Sequence, residues 1–112
     1  MPKPSAVLIL VFHALADPTR LAVVERLSAG PAATSELARP FKMALPSFLQ
    51  HLDVLQKSGL VRSTKHGRVR TYELAPTAMK VAEDWMARQR AVWETRLDQL
   101  DSFLNDLKEK QG

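Results

Sequence analysis

The stretch TSELARPFKMALPSFLQHLDVLQKSGLVRSTKHGRVRTYEL, residues 34–74, decides the fold. Thr34 or Ser35 can cap a short helix from Ser35 to Arg39, with Leu37 and Ala38 facing inward and Pro40 ending it. After a turn at Phe41-Lys42-Met43, the spacing predicts a longer helix from about Leu45 to Lys57. Pro46 sits near its start, where a missing N–H costs nothing. Phe48, Leu52 and Leu55 recur at i, i+4, i+7 and make one apolar face. Ser58-Gly59 ends that helix. Two β-rich runs follow, Leu60 to Lys65 and Arg68 to Leu74, joined by His66-Gly67. A two-residue x-Gly loop suits a tight hairpin turn. In that register Val61 faces Tyr72 at an apolar base, and Lys65 and Arg68 flank the tip.

Two helices of these lengths joined by a short turn match a helix-turn-helix. The hairpin sharpens the match. Arg62, Arg68 and Arg70 are too many cations for a buried sheet face. An apolar base with a cationic tip is what a DNA-contacting wing requires, because the tip must reach a phosphate or the minor groove. On charge alone, a solvated basic hairpin fits the same residues.

Upstream, Asp17-Pro18-Thr19-Arg20 marks a helix start, with Asp17 as cap and Pro18 at the first helical position. Leu21, Val24 and Leu27 form its inward stripe, Val23 widens it, and Gly30-Pro31 stops it. Before it, Ala6 to Phe12 is an apolar run. It is far shorter than the ~18 residues that span a bilayer. His13 and Pro18 argue against a cleaved leader. The run is expected to be a short helix, apolar on every side and therefore buried all round, partly against a second protomer. No membrane association is expected.

Downstream of Pro76 no Gly or Pro occurs until Gly112, and helix formers dominate. A single helix of about 30 residues is expected, ~45 Å at 1.5 Å per residue. Trp93, Leu97, Leu100, Leu104 and Leu107 step by 4, 3, 4, 3, a heptad seam that Ala82, Trp85, Met86 and Gln89 continue upstream. Its far half has no core to cover within so short a chain. A second copy would cover it, with Leu8, Val11, Trp85, Val92, Trp93, Leu97, Leu100, Leu104 and Leu107 at the contact. The fold expected is mainly α with a small β-hairpin (α+β): a winged helix-turn-helix core over 6–76 and a C-terminal dimerisation helix over 77–110, one domain across the 112 residues.

Composition narrows the chemistry. The chain has no cysteine, which excludes a disulfide scaffold, a thiol nucleophile and a thiolate metal site. Sixteen Lys+Arg stand against twelve Asp+Glu, a net +4. Residues 1–75 hold ten against five (+5), and residues 76–112 hold six against seven (−1). The anion-binding potential therefore lies in the part that carries the hairpin. There is no Gly-rich phosphate loop, no clustered triad and no pair of carboxylates placed for acid–base work, so catalysis is not expected and no catalytic residue is assigned. His13, His51 and His66 lie on three separate elements without ligand spacing. Glu94, Asp98 and Asp101 suit solvated flanks of the seam. Neither a metal site nor a cofactor is expected.

The order helix, helix, helix-turn-helix, basic hairpin, long helix resembles the ArsR-type winged-helix repressors. The carrying residues are Ala14-Leu15-Ala16-Asp17-Pro18-Thr19-Arg20, Ser35-Glu36-Leu37-Ala38, His51-Leu52, Leu55, Ser58-Gly59-Leu60-Val61, Gly67-Arg68 and Tyr72-Glu73-Leu74. The resemblance covers about residues 8–76. It implies a cytoplasmic homodimer that binds a palindromic operator in double-stranded DNA and represses transcription until a signal releases it. Many relatives sense metals through cysteines in the first motif helix or through His and carboxylate clusters on the last helix. This chain has no cysteine, and residues 76–112 hold no histidine. A non-metal-sensing branch is implied.

In such a repressor the N-terminal half of the second motif helix enters the major groove. Ser47, Leu49, Gln50 and His51 are the residues assigned to DNA there. Gln50 can pair with adenine and Ser47 can donate to a base or phosphate. Leu49 stands where the family usually has Ser or Thr, Asp53 where a basic or neutral residue is commoner, and Ala44 where a capping Ser is frequent. Arg62, Lys65, His66, Arg68 and Arg70 are assigned to DNA on the hairpin. The atypical Leu45, Leu49 and Asp53 also suit a winged helix that binds a protein groove instead of DNA. Trp85, Met86, Trp93 and Phe12 fit either core or a pocket for a small-molecule inducer.

Overall fold

A computed structural model describes residues 5–111. Its elements are α1 (Ala6–Leu15), α2 (Pro18–Leu27), β1 (Ala32–Ala33), α3 (Thr34–Ala38), α4 (Leu45–Lys57), β2 (Val61–His66), β3 (Val69–Leu74) and α5 (Pro76–Gln111). The strands form one antiparallel sheet in the order β1-β3-β2. This is the α+β winged helix-turn-helix expected from the sequence.

Most elements follow from their local chemistry. Asp17 caps α2, accepting the Arg20 backbone N–H at 3.1 Å, and Pro18 takes the first turn. On α2, Val23, Val24 and Leu27 are buried and lie within ~100° of arc at 100° per residue. Leu21, expected in that stripe, lies ~60° outside it and is exposed. Helix α3 starts one residue earlier than expected. Glu36 accepts the Ala33 N–H at 3.3 Å, and Thr34 is helical, its hydroxyl donating to the Arg70 carbonyl at 3.3 Å. The strand before it carries no sequence signal. Two alanines have no β preference, and they pair only because Tyr72 and Thr71 of β3 lie opposite.

Phe48, Leu52 and Leu55 of α4 are fully buried, and α4 packs on α1, α2 and β2, whose Val11, Val23 and Val61 are buried too. Ser58, the one buried polar side chain of this core among the described residues, ends α4. Its hydroxyl donates to the Leu55 carbonyl at 2.7 Å and accepts the Leu60 N–H at 3.2 Å. Gly59 then turns the chain with φ +83°. A Cβ on Gly59 would stand 3.2 Å from the Ala78 Cβ, so glycine meets both a left-handed backbone and a close approach here.

The hairpin register differs from the sequence reading by one step. Val61 faces Leu74, Tyr72 faces Ser63, and the loop is Gly67-Arg68 between the paired His66 and Val69. Gly67 has φ +62°, and no non-glycine residue described has positive φ. A positive φ at the first loop position alone is the type II′ pattern, which takes glycine first. With His66-Gly67 as the loop, a type I′ turn would have forced His66 into that region. The step moves both strands together, so Val61 and Tyr72 stay on one face and both are buried.

Helix α1 is not buried on every side. Leu8, Val11 and Ala14 face the chain's own core, while Val7, Ile9, Leu10 and Phe12 are exposed. Leu8 and Val11, expected at a contact with a second copy, are 5% and 0% exposed within a single chain. The periodicity of 3 that marks them is the inward stripe of the helix. The chain forms two compact units, Met1–Ala82 and Glu83–Gly112. The division falls inside α5, whose Ala78 and Ala82 are buried in the first unit.

Candidate nucleic-acid interface

Helix α4 displays its uncovered face between Leu45 and Lys57. At 100° per residue the buried side chains centre on Phe48, and Pro46, Gln50 and Asp53 point the opposite way. Leu45 and Leu49 form one flank of this face, 54% and 42% exposed, and Ser47 lies on the other flank. From Met43 to Leu52 there is no charged side chain. Asp53 is engaged by Lys57 at 2.8 Å, one turn on. That carboxylate holds the Lys57 ammonium above its ordinary range, by hydrogen bond first and by charge second. The acid that stood out in the sequence is thus a neutralised pair.

His51 departs from its neighbours. Its ring is largely covered, and its Nδ1 lies 3.0 Å from Arg20 Nη1. A guanidinium only donates, so Nδ1 accepts and the imidazole carries its proton on Nε2. Arg20 also donates from Nε to the Ala14 carbonyl at 2.8 Å and from Nη2 to the His13 carbonyl at 3.3 Å. One guanidinium therefore ties the end of α1 to α4. Asp17 Oδ2 stands 3.7 Å from His51 Nδ1. The Arg20 backbone N–H holds the Asp17 carboxyl below its usual range against some desolvation, helped by the nearby Arg20 charge. The sequence separated Arg20 and His51 by 31 residues. Its one signal was an arginine in the first turn of α2, where the helix dipole disfavours a cation that has no other partner.

The hairpin sorts its cations by side-chain alternation. Lys65 and Arg70 are paired across the strands on the face that carries Val61, Ser63 and Tyr72. Arg62 and Glu73, also paired, lie on the opposite face with His66 and Val69. Arg62 Nε meets Glu73 Oε1 at 2.8 Å. Arg70 Nη1 donates to Ser63 Oγ at 2.8 Å, and Ser63 Oγ donates to Gln56 Oε1 at 3.2 Å. This relay from β3 through β2 to α4 fixes the hairpin against the helix, and Gln56 is a member the sequence reading left out. Arg62 and Arg70 are thus engaged within the fold. Lys65, His66 and Arg68 stand exposed at the tip, and among the described residues Lys65 and Arg68 make no ion pair. Lys65 and Arg70 stand face to face across the strands, a like-charge pair that costs the hairpin some stability. Tyr72 sits beneath, its phenol pushed above the ordinary range chiefly by burial.

A helix-turn-helix domain family matches residues 15–64, from the α1–α2 corner into β2. The HTH-type transcriptional regulator Rv2034 of Mycobacterium tuberculosis is 47% identical over 68 residues, 61% of this chain and 64% of that regulator, less than two thirds of its length. The arsenical resistance operon repressor of Escherichia coli is 33% identical over 90 residues, 75% of this chain and 77% of that one. The crystal structure of the ArsR family transcriptional regulator RHA00566 superposes with a TM-score of 0.76 at 52% identity, covering 79% of this chain and 97% of that one. The chain belongs to the ArsR family of transcriptional regulators. Within this ArsR chain the family match takes in Asp17, Arg20, His51 and all of α4, and stops before the hairpin tip. Among the described residues no three His, Asp or Glu side chains gather where a metal ion could be held. No single described helix is long and apolar enough to cross a membrane.

In α5, Val92, Trp93, Leu97, Leu100, Leu104 and Leu107 are all exposed within one chain, Trp93 by 62%. Trp93, Leu97, Leu100, Leu104 and Leu107 fall within ~80° of arc, one continuous apolar stripe. Trp85 is half-covered.

Proposed function

We propose that the chain is a homodimeric transcriptional repressor that binds a palindromic operator. In this reading α4 enters the major groove with Ser47, Leu49 and Gln50, and Lys65, His66 and Arg68 lie on the flanking phosphates. The observation that carries it is the relay Arg70–Ser63–Gln56. It holds a cationic hairpin tip at a fixed place beside an uncharged, exposed helix face. Arg62 and Arg70 act within the hairpin, and His51 holds the helix through Arg20. The apolar stripe of α5 calls for a second copy, and two copies present two α4 helices to two half-sites. The ArsR fold, the arsenical repressor among its relatives and the absence of any catalytic constellation in the sequence support a repressor rather than an enzyme. Chromosomal DNA as partner puts the protein in the cytoplasm.

Release by thiolate–metal chemistry is closed to a chain without cysteine. A small molecule that reaches the tryptophans is the release signal this reading leaves, and titration of Trp85 and Trp93 fluorescence tests it. The decisive experiment is a mobility shift with DNA from the regulator's own upstream region, repeated over a salt series. Four phosphate contacts per dimer, from Lys65 and Arg68, give a log–log slope of about −4, and eight would give about −7. Salt-insensitive partner binding with no shift would instead favour the protein-binding reading of Leu45 and Leu49.

A further inference from the structure

The face that α4 offers to a major groove carries none of the charged side chains that most often read a G·C pair in its first two turns. Guanine is most often read by the paired donors of Arg or Lys, and cytosine by a carboxylate acceptor. Residues 43–52 contain neither. Asp53, the first charge on the helix, is bound by Lys57 at 2.8 Å. What the face does contain is an amide, two aliphatic side chains and, on the far flank, the Ser47 hydroxyl, which does not discriminate strongly between bases. Gln50 lies near its middle. Leu45 and Leu49, one turn apart, form its flank and stay 54% and 42% exposed. Gln50 has the paired acceptor and donor that match adenine N6 and N7. An A·T pair presents one apolar group in the major groove, the thymine C5-methyl, beside the adenine edge.

We infer that Leu45 and Leu49 are specificity-determining residues that close on thymine methyl groups beside the adenine read by Gln50, so that each half-site has an A·T core. The inference rests on the proposed DNA-binding function and deepens it. The occupant is argued from charge as well as shape. Lys42 precedes the face and Lys65 and Arg68 stand exposed on the hairpin, so the leucines sit in a cationic surround that suits a polyanion. Both leucines are outside the core, so replacing them leaves the packing of Phe48, Leu52 and Leu55 intact.

The test uses the full chain and duplexes it selects from random DNA. Each thymine of the recovered site is replaced in turn by deoxyuridine, which removes only the methyl, and binding is followed by fluorescence anisotropy. The wild-type chain should lose about fourfold at one or two thymines per half-site, the worth of one buried methyl. Thymines outside the half-sites should show no loss. The L45A/L49S variant should bind the thymine and uracil duplexes alike. Unchanged binding to every uracil duplex overturns the inference and leaves the DNA-binding function standing. An equal loss in the wild type and in L45A/L49S also overturns it, because the methyl then acts through DNA shape. Recovery of no duplex at all overturns both readings.

Discussion

Arg20 Nη1 and His51 Nδ1 meet at 3.0 Å, across the gap between the corner of α1 and α2 and the middle of α4. The same guanidinium holds the Ala14 and His13 carbonyls, so it satisfies acceptors at the open end of α1 while it positions the reading helix. Lysine has no planar fork to reach three acceptors at once. Arg20→Lys should therefore lower stability by about 1.5–3 kcal/mol, the range for losing hydrogen bonds to a charged group. His51→Ala should lose less, because Arg20 keeps its carbonyls. Urea unfolding of the two variants checks the order. A His51 variant as damaging as Arg20→Lys would mean that the carbonyl contacts contribute little.

Asp17 gives the fold a dependence on acid. Its carboxyl titrates below the ordinary 3.8 in the folded chain, chiefly because it accepts the Arg20 N–H. A depressed folded-state pKa means that the unfolded chain takes up the proton first. The stabilisation is fully present above the unfolded value near 3.8 and is lost as the pH falls through the lower folded value. Asp17→Asn keeps an acceptor for the cap and removes the titration. Urea midpoints measured at pH 7 and pH 3 should therefore converge more closely in Asp17→Asn than in the wild type.

Gly59→Ala should destabilise the chain by about 1–2 kcal/mol from the left-handed backbone alone. The 3.2 Å approach to the Ala78 Cβ should raise that cost, because Ala78 is buried at the start of α5 and has little room to yield. Gly67→Ala also places a side chain at positive φ, but with nothing within 4 Å. The difference between the two melting temperatures isolates the contact. Equal losses would show that α5 shifts to accept the methyl.

The hairpin cations separate into two kinds of variant. Arg68→Ala should weaken binding to every DNA sequence and reduce the salt slope by about 1.8 per dimer, two contacts at ~0.9 each. Gln50→Ala should change which sequences are preferred while the slope holds. Arg70→Ala acts differently, because its guanidinium is spent on Ser63 and, through it, on Gln56. It should loosen the hairpin, visible as faster amide exchange in β2 and β3. Anisotropy over a salt series, with exchange on the free protein, tests all three. An unchanged slope in Arg68→Ala would remove the tip from the interface.

These differences mark what a sequence can carry. Helix α4, the cap at Asp17 and the apolar stripe of α5 were legible because each depends on residues a few positions apart. The hairpin was legible as a hairpin, but not its register, which turned on whether Gly67 took the first or the second loop position. The engagement of Arg62 with Glu73 and of Arg70 with Ser63 is a cross-strand event, so four cations that looked equivalent in the sequence separated into two pairs. Leu8 and Val11 were indistinguishable from Ile9 and Leu10 by composition, because a helix with apolar residues on all sides does not say which of them its own core will take. Arg20 and His51 belong to one cluster only once α4 packs beside the start of α2.

The stripe Trp93–Leu107 leaves a further mark that can be measured. Five large apolar side chains along one arc of a helix are a poor surface for a lone chain, and a second copy removes them from water. A charge at the centre of that stripe meets its symmetry mate in a twofold contact, so one substitution acts twice. Leu100→Glu should shift the sedimentation-equilibrium mass from dimer to monomer. The monomer should keep its helix-turn-helix fold, because the buried core lies within residues 1–82 and Leu100 takes no part in it. Its melting temperature should also cease to rise with protein concentration, as that of an associating wild type must. DNA affinity should fall steeply, since a monomer presents one α4 where the operator offers two half-sites. A Leu100→Glu chain that stays dimeric would move the contact elsewhere, to the exposed Val7, Ile9 and Leu10 of α1.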